Sequence, residues 1–351
     1  MGAVLGLGIS HWPRLRMAES AYALRLVKSL QDPAIPDDAK NPDNWPPAMR
    51  EEWGDDEGRT SAPKHRDAIV LGMREARKAL DAFKPDAVLV WGDDQYENFR
   101  EDVIPPFCVL AYQEDVVMRP LGKADNPWGE DADKPFTVRM APQISKALTA
   151  GLIEADFDVS YAYRPLHYPG LSHAFMNAVL YLDFDRTGFE YPVIPFQVNC
   201  YGSHVVSHKG SVPQLDAPHI ELDPPSPSPR RCFELGRATA RFLRDSPWRV
   251  ALVASSSWSH AFLVSKHWQL YPDVPADRRL YEALLAGDWD AWRETPLASV
   301  IDAGQQEVLN WFCLAGAMSE LNCPLEWSQF VESYIFNSNK VAAVFRPSDQ
   351  T

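Results

Sequence analysis

Four places in this sequence hold residue types that do acid–base or metal chemistry: His11, the trio Asp93-Asp94-Gln95, His260 and Glu307. His11 directly follows the apolar run Ala3–Ile9 and is fixed by Trp12-Pro13. A neutral imidazole there can ligate a metal or act as a base, or it can simply close a turn. The trio follows Val88–Trp91. Carboxylates at such a point hold a divalent cation, and glutamine offers a carbonyl oxygen; helix capping by an Asp pair is the plainer alternative. His260 ends the stretch Ser255-Ser256-Ser257-Trp258-Ser259-His260 after Val250–Ala254. Serines beside a histidine suggest a hydrolase, but a GxSxG elbow is absent and sequence neighbours do not make a triad. A proton shuttle is the better use of His260, against a satisfied surface histidine. Glu307 lies among Val308, Leu309, Trp311, Phe312 and Leu314. A carboxylate in apolar surroundings is costly unless paired or metal-bound, whereas an exposed first-turn glutamate is favoured by the helix dipole. Both can hold at once.

The elements that must position these residues can be read from periodicity. Strand-like runs recur at Ala3–Ile9, Asp86–Trp91, Phe107–Ala111, Phe157–Ala162, Val193–Val198, Arg249–Ala254 and Val341–Phe345. Segments of helical period lie between several of them: Ala18–Leu30, Asp67–Phe83, Gln143–Ile153, Ser172–Leu182, Phe233–Leu243 and Gly304–Met318. Such alternation predicts an α/β fold, a single domain with a central mixed sheet flanked by helices. Polar groups just past the ends of three strands would meet in one crevice. The loop Arg164–Gly170 leads into a helix and draws attention to His167 and His173, while His65 reads as a helix-entry residue after Pro63.

Composition narrows the function classes. The chain has 351 residues with a formal charge of −14, from 48 acidic and 34 basic side chains. No basic face is apparent, so a nucleic-acid partner is not expected. No apolar run approaches the ~20 residues that span a bilayer, and the N-terminal apolar stretch reads as a buried strand instead of a signal peptide; a cytoplasmic protein is expected. Five scattered cysteines without a CxxC pair argue against a zinc ribbon or a disulfide scaffold. The 30 prolines cluster at 33–47 and 213–229, which predicts irregular excursions too polar for core. For residues 32–64, an insertion serving as a lid and plain disorder stand level.

Taken in order, the motifs resemble the LigB-type class III extradiol dioxygenases, the family of the protocatechuate 4,5-dioxygenase β chain. Ile9-Ser10-His11-Trp12-Pro13 is similar to the family's N-terminal Ser-His-x-Pro, Trp258-Ser259-His260 to its Ser-His, and Gln306-Glu307-Val308-Leu309-Asn310-Trp311 to its glutamate-bearing helix. Val193–Asn199, Arg231–Gly236 and Ser338-Asn339 match further segments. The resemblance implies a non-haem iron(II) enzyme with His11 and Glu307 as ligands and His260 as acid/base. It places His167 as a second active-site histidine, and Ser338 and Asn339 at the substrate pocket. Trp12, Tyr96 and Trp258 could wall that pocket, although core filling suits at least one of them. The implied reaction opens a catechol- or aminophenol-like ring with dioxygen, in an assembly of like chains or with a small partner subunit.

One departure is clear. The family's second iron-binding histidine falls on Gln95, with Asp94 before it, and His65 is the other candidate for that place. Oxygen donors in place of an imidazole shift preference towards harder ions such as manganese(II). The alternatives are therefore hydrolytic chemistry at a retained metal, or a non-catalytic partner subunit.

Overall fold

Continuous runs of valine, isoleucine and leucine, such as Ala-Val-Leu-Val-Trp, form strands that a sheet buries on both faces. The computed structural model describes residues 2–122, 125–211, 213–215 and 223–347; part of the proline-rich 213–229 stretch, His219 included, lies outside them. The strands are β1 (Ala3–Ile9), β2 (Ala87–Gly92), β3 (Phe107–Leu110), β4 (Val116–Met118), β5 (Phe136–Val138), β6 (Ser160–Ala162), β7 (Val193–Val198), β8 (Arg249–Ser255), β9 (Leu325–Val331) and β10 (Lys340–Phe345). Eight form one mixed sheet in the order β6-β3-β7-β2-β8-β1-β10-β9, and β4 pairs with β5 apart from it. The central pairs β2–β7, β2–β8 and β1–β8 are parallel, and β1–β10, β9–β10 and β3–β7 are antiparallel.

Side chains alternate between the two faces. Leu5, Leu7 and Ile9 join the core beneath the helices Ser61–Phe83 and His173–Leu182, whereas Val4 joins the opposite core beneath Pro229–Arg244 and Leu309–Glu320. On that second face Gly8 has a packing role. A Cβ there would lie 2.0 Å from the Trp311 ring, so only glycine lets the helix bearing Trp311 settle on β1. Close approach recurs between the two helices themselves, where a Cβ on Gly236 would stand 1.8 Å from the Cys313 carbonyl oxygen.

The seven expected strands are present, β6 shortened to three residues. Periodicity did not reveal β9 or the β4–β5 pair. It also missed the helices Val274–Ala286, Trp289–Arg293 and Leu297–Asp302. The expectation of a coreless excursion at 32–64 is corrected. That segment carries the short helices Asp37–Lys40 and Pro47–Trp53 and buries Ile35, Trp45 and Met49. Glu52 clamps it to the chain's far end, accepting hydrogen bonds from Ser333 Oγ and from the Tyr334 and Ile335 amides. All five cysteines are buried and free. Among the described residues, no helix is long and apolar enough to cross a membrane.

Candidate metal centre

The order β2-β8-β1 sets three parallel strand ends side by side, and each delivers a polar group: Asp93 after β2, His260 beyond β8 and His11 just past β1. From the opposite core, the turn Gln306–Val308 that opens the helix Leu309–Glu320 brings Glu307 to the same place. His11, Asp93 and Glu307 are at most 2% exposed. His11 Nδ1 lies 2.9 Å from the Ser255 carbonyl oxygen, which makes it the protonated nitrogen and leaves Nε2 facing the cluster. Nε2 stands 3.3 Å from Glu307 Oε2 and 3.8 Å from Asp93 Oδ1. Neither of those two buried oxygens has a hydrogen-bond partner.

His173, at the start of the helix His173–Leu182, extends the group. It, His11 and Asp93 each offer a ligand atom within 4.8 Å of the others. Its Nδ1 lies 2.9 Å from Glu97 Oε2. Burial pulls the His173 imidazole down, but Glu97 outweighs this and raises it to about 10. His11 behaves alike: burial pulls down, and Glu307 and Asp93 hold it above its ordinary value. Burial, then the Glu307 charge, pushes Asp93 up. Burial opposes ionisation of Glu307 too, yet His260 and His11 hold it below the usual carboxylate range. His260 Nε2 lies 3.5 Å from Glu307 Oε1, and burial lowers its imidazole.

Several expected site residues have other duties. The Gln95 amide nitrogen donates to Asp93 Oδ2 at 3.1 Å and to Glu307 Oε1 at 3.1 Å, with the Tyr201 hydroxyl at 2.9 Å. Two carboxylates demand the donor end of the amide, so Gln95 orients the ligand oxygens and does not join them. Asp94 turns away; its carboxylate accepts from the Glu97, Asn98 and Phe99 amides, the capping alternative. His65 is buried beside Lys340, its Nε2 3.1 Å from the Lys340 nitrogen. His167 is exposed and pairs with Asp102 at 2.8 Å. Tyr96 sits at φ 64° with its hydroxyl on Glu101. Trp12 packs against Tyr22 and His65, and Trp258 against Trp292 and Trp311, both as core. Asn339 spends its amide on Asp277 and Ser333. Ser338 pairs through its backbone with His260, and its hydroxyl is buried without a partner.

Tyr201 was not anticipated. Its hydroxyl donates to Glu307 Oε1 at 2.7 Å. The signal was available: Asn199-Cys200-Tyr201 follows β7 as the other polar clusters follow their strands, and β7 neighbours β2.

A cation fits this donor set. One imidazole nitrogen and two carboxylate oxygens, the latter buried and without donors, face a common point, and such oxygens are what a divalent ion satisfies.

The family described as catalytic LigB subunit of aromatic ring-opening dioxygenase matches residues 55–345. A 2,3-dihydroxyphenylpropionate/2,3-dihydroxicinnamic acid 1,2-dioxygenase of Paraburkholderia phymatum is 30% identical over 230 residues, covering 64% of this chain and 57% of that protein. One bearing the same name in Burkholderia vietnamiensis is 29% identical over 219 residues, 61% of this chain and 54% of the relative. A third, from Pseudomonas putida, is 27% identical over 195 residues, 55% and 49% respectively. The matched region thus spans about half the length of these relatives.

Proposed function

This chain belongs to the LigB family, the catalytic subunits of aromatic ring-opening dioxygenases, and on that premise we propose that it opens a catechol- or aminophenol-like ring with dioxygen, in extradiol fashion, at a divalent metal. The observation that carries this reading is the pair of donorless buried oxygens, Glu307 Oε2 and Asp93 Oδ1, facing His11 Nε2. His11, Asp93 and Glu307 would hold the ion, with Gln95 and Tyr201 turning the carboxylates. Iron(II) is the ion assigned. Manganese(II) stands second, because two carboxylates beside one imidazole favour harder ions.

When bound, the ion supplies an open position for the substrate oxygens and for dioxygen. The chain's own groups do the rest. His260, kept neutral by burial, accepts a proton at Nε2 from a substrate hydroxyl and returns it as the ring opens. His173, kept protonated by Glu97, sets a positive charge against the substrate anion. The named activity of the relatives agrees with an aromatic diol as substrate. A cytoplasmic setting suits five buried, unbridged thiols.

Metal analysis of the purified chain, joined to oxygen uptake with catechols and 2-aminophenols, tests the proposal. Stoichiometric oxygen consumption with ring-opened product is expected. Bound metal without oxygen uptake favours hydrolysis at the same ion, and a chain that takes up no metal is a non-catalytic subunit.

A further inference from the structure

Beside the metal centre lies a cavity of about 180 Å³ whose lining includes Gln95, Tyr201, His204, His208, Ser211 and Phe262. Its inner end abuts the reacting groups. Gln95 and Tyr201 both bond Glu307 Oε1, and the Phe262 ring lies 5.2 Å from that of His260. Pockets for drug-sized ligands run to roughly 300–1,000 Å³, so this one takes a single ring with a short side chain.

The outer end is made by two imidazoles on the turn after β7. His204 and His208 stack with centroids 4.9 Å apart and planes 22° from parallel. His204 Nδ1 is buried and has no hydrogen-bond partner. No Asp, Glu, Lys or Arg lines the cavity among the described residues. The nearby Asp223 carboxylate is taken up by the Val206 and Ser207 amides. The far wall thus offers ring N–H donors with no competing carboxylate among its lining residues.

Resting on the ring-opening reading above, we propose that His204 and His208 form a carboxylate subsite, and that the substrate is an aromatic diol bearing a short acidic side chain. The diol meets Glu307 and His260 at the inner end, and the acid reaches the imidazole pair at the outer end. A charge-assisted hydrogen bond from an imidazole satisfies His204 Nδ1 and fixes the ring's orientation. An uncharged apolar tail leaves that nitrogen without a partner.

The test measures anaerobic binding of 2,3- and 3,4-dihydroxyphenyl acetates and propionates, each beside its methyl ester, to the metal-loaded protein by calorimetry. At least one acid should bind tenfold or more tighter than its ester. His204→Phe with His208→Phe, which keeps an aromatic stack, should erase that preference, with circular dichroism confirming the fold. Esters binding as well as acids, or an acid preference that survives the double variant, overturns the subsite. Oxygen uptake on the tightest binder separates the two readings. Acid preference without ring opening sinks the dioxygenase assignment and leaves the subsite standing, whereas opening of acid and ester alike sinks the subsite alone. If no diol binds in either form, both fail.

Discussion

His11 Nε2 and Glu307 Oε2 lie 3.3 Å apart, although one residue follows the first strand and the other opens the turn before the last long helix. With His11 Nδ1 held by the Ser255 carbonyl, the facing nitrogen is available to a cation. An ion that binds only the folded chain stabilises it by about 2.7 kcal/mol at a hundredfold excess over Kd. Titrating iron(II) anaerobically into the wild-type protein should therefore raise its melting temperature. Glu307→Gln should lose that rise and the bound metal together. A variant that still binds iron stoichiometrically would remove Glu307 from the ligand set.

Gln95 acts one step out. It donates to Asp93 and Glu307 at once, fixing which oxygen of each faces His11. Removing such a support costs roughly 10- to 100-fold in metal affinity. Gln95→Ala should show that loss in a competition titration against a chelator. Unchanged affinity would mean that the carboxylates hold their orientation through Tyr201 alone.

The buried His65 gives a pH signature independent of the metal. Burial first, and then Lys340, holds its imidazole well below the ordinary 6.5. Below pH 6.5 the unfolded chain therefore binds a proton that the folded chain refuses, so stability falls as pH falls, by up to about 1.4 kcal/mol per unit. Above pH 6.5 the contribution is fully present. His65→Gln keeps an acceptor for Lys340 and removes the titration. Urea unfolding at pH 6.5, 6.0 and 5.5 should show a shallower slope in the variant than in the wild type, and equal slopes would count against the buried neutral imidazole.

How far the sequence discloses this arrangement depends on what each signal encodes. Strand positions and the clusters at their ends were legible because hydrophobic runs report burial on both sheet faces, and parallel order then converges the ends. His11, His260 and Glu307 were found in that way, and the structure brings all three together. Asp93 and Asp94 could not be separated, because neighbouring residues leave a strand in opposite directions and only the turn geometry shows which carboxylate caps the Glu97–Phe99 amides. Gln95 was read for its carbonyl. Its donor role depends on two carboxylates that are distant in sequence. The 32–64 segment misled through composition: prolines and acids conceal Ile35, Trp45 and Met49, whose burial comes from tertiary contact without periodicity.

Asp277 ties the acid/base loop to the ligand turn. Its carboxylate, fully buried, accepts the Ser259 amide, the Gln305 side chain at 2.6 Å and the Asn339 side chain at 2.7 Å. Ser259 precedes His260, Gln305 lies two residues before Glu307, and Asn339 follows Ser338, whose backbone pairs with His260. Burial pushes the Asp277 carboxyl up to about 7, since no cation compensates it. Asp277→Asn keeps the shape but turns an amide N–H against a donor from Gln305 or Asn339. Leaving one such group unmatched costs about 1–3 kcal/mol of stability. Displacing His260 from its place relative to Glu307 should lower kcat roughly 10- to 100-fold, with KM and metal content near wild type because the ligands themselves are untouched. Steady-state kinetics beside metal analysis decide the matter: a loss confined to KM, or a parallel loss of metal, would show that Asp277 supports the fold without positioning His260.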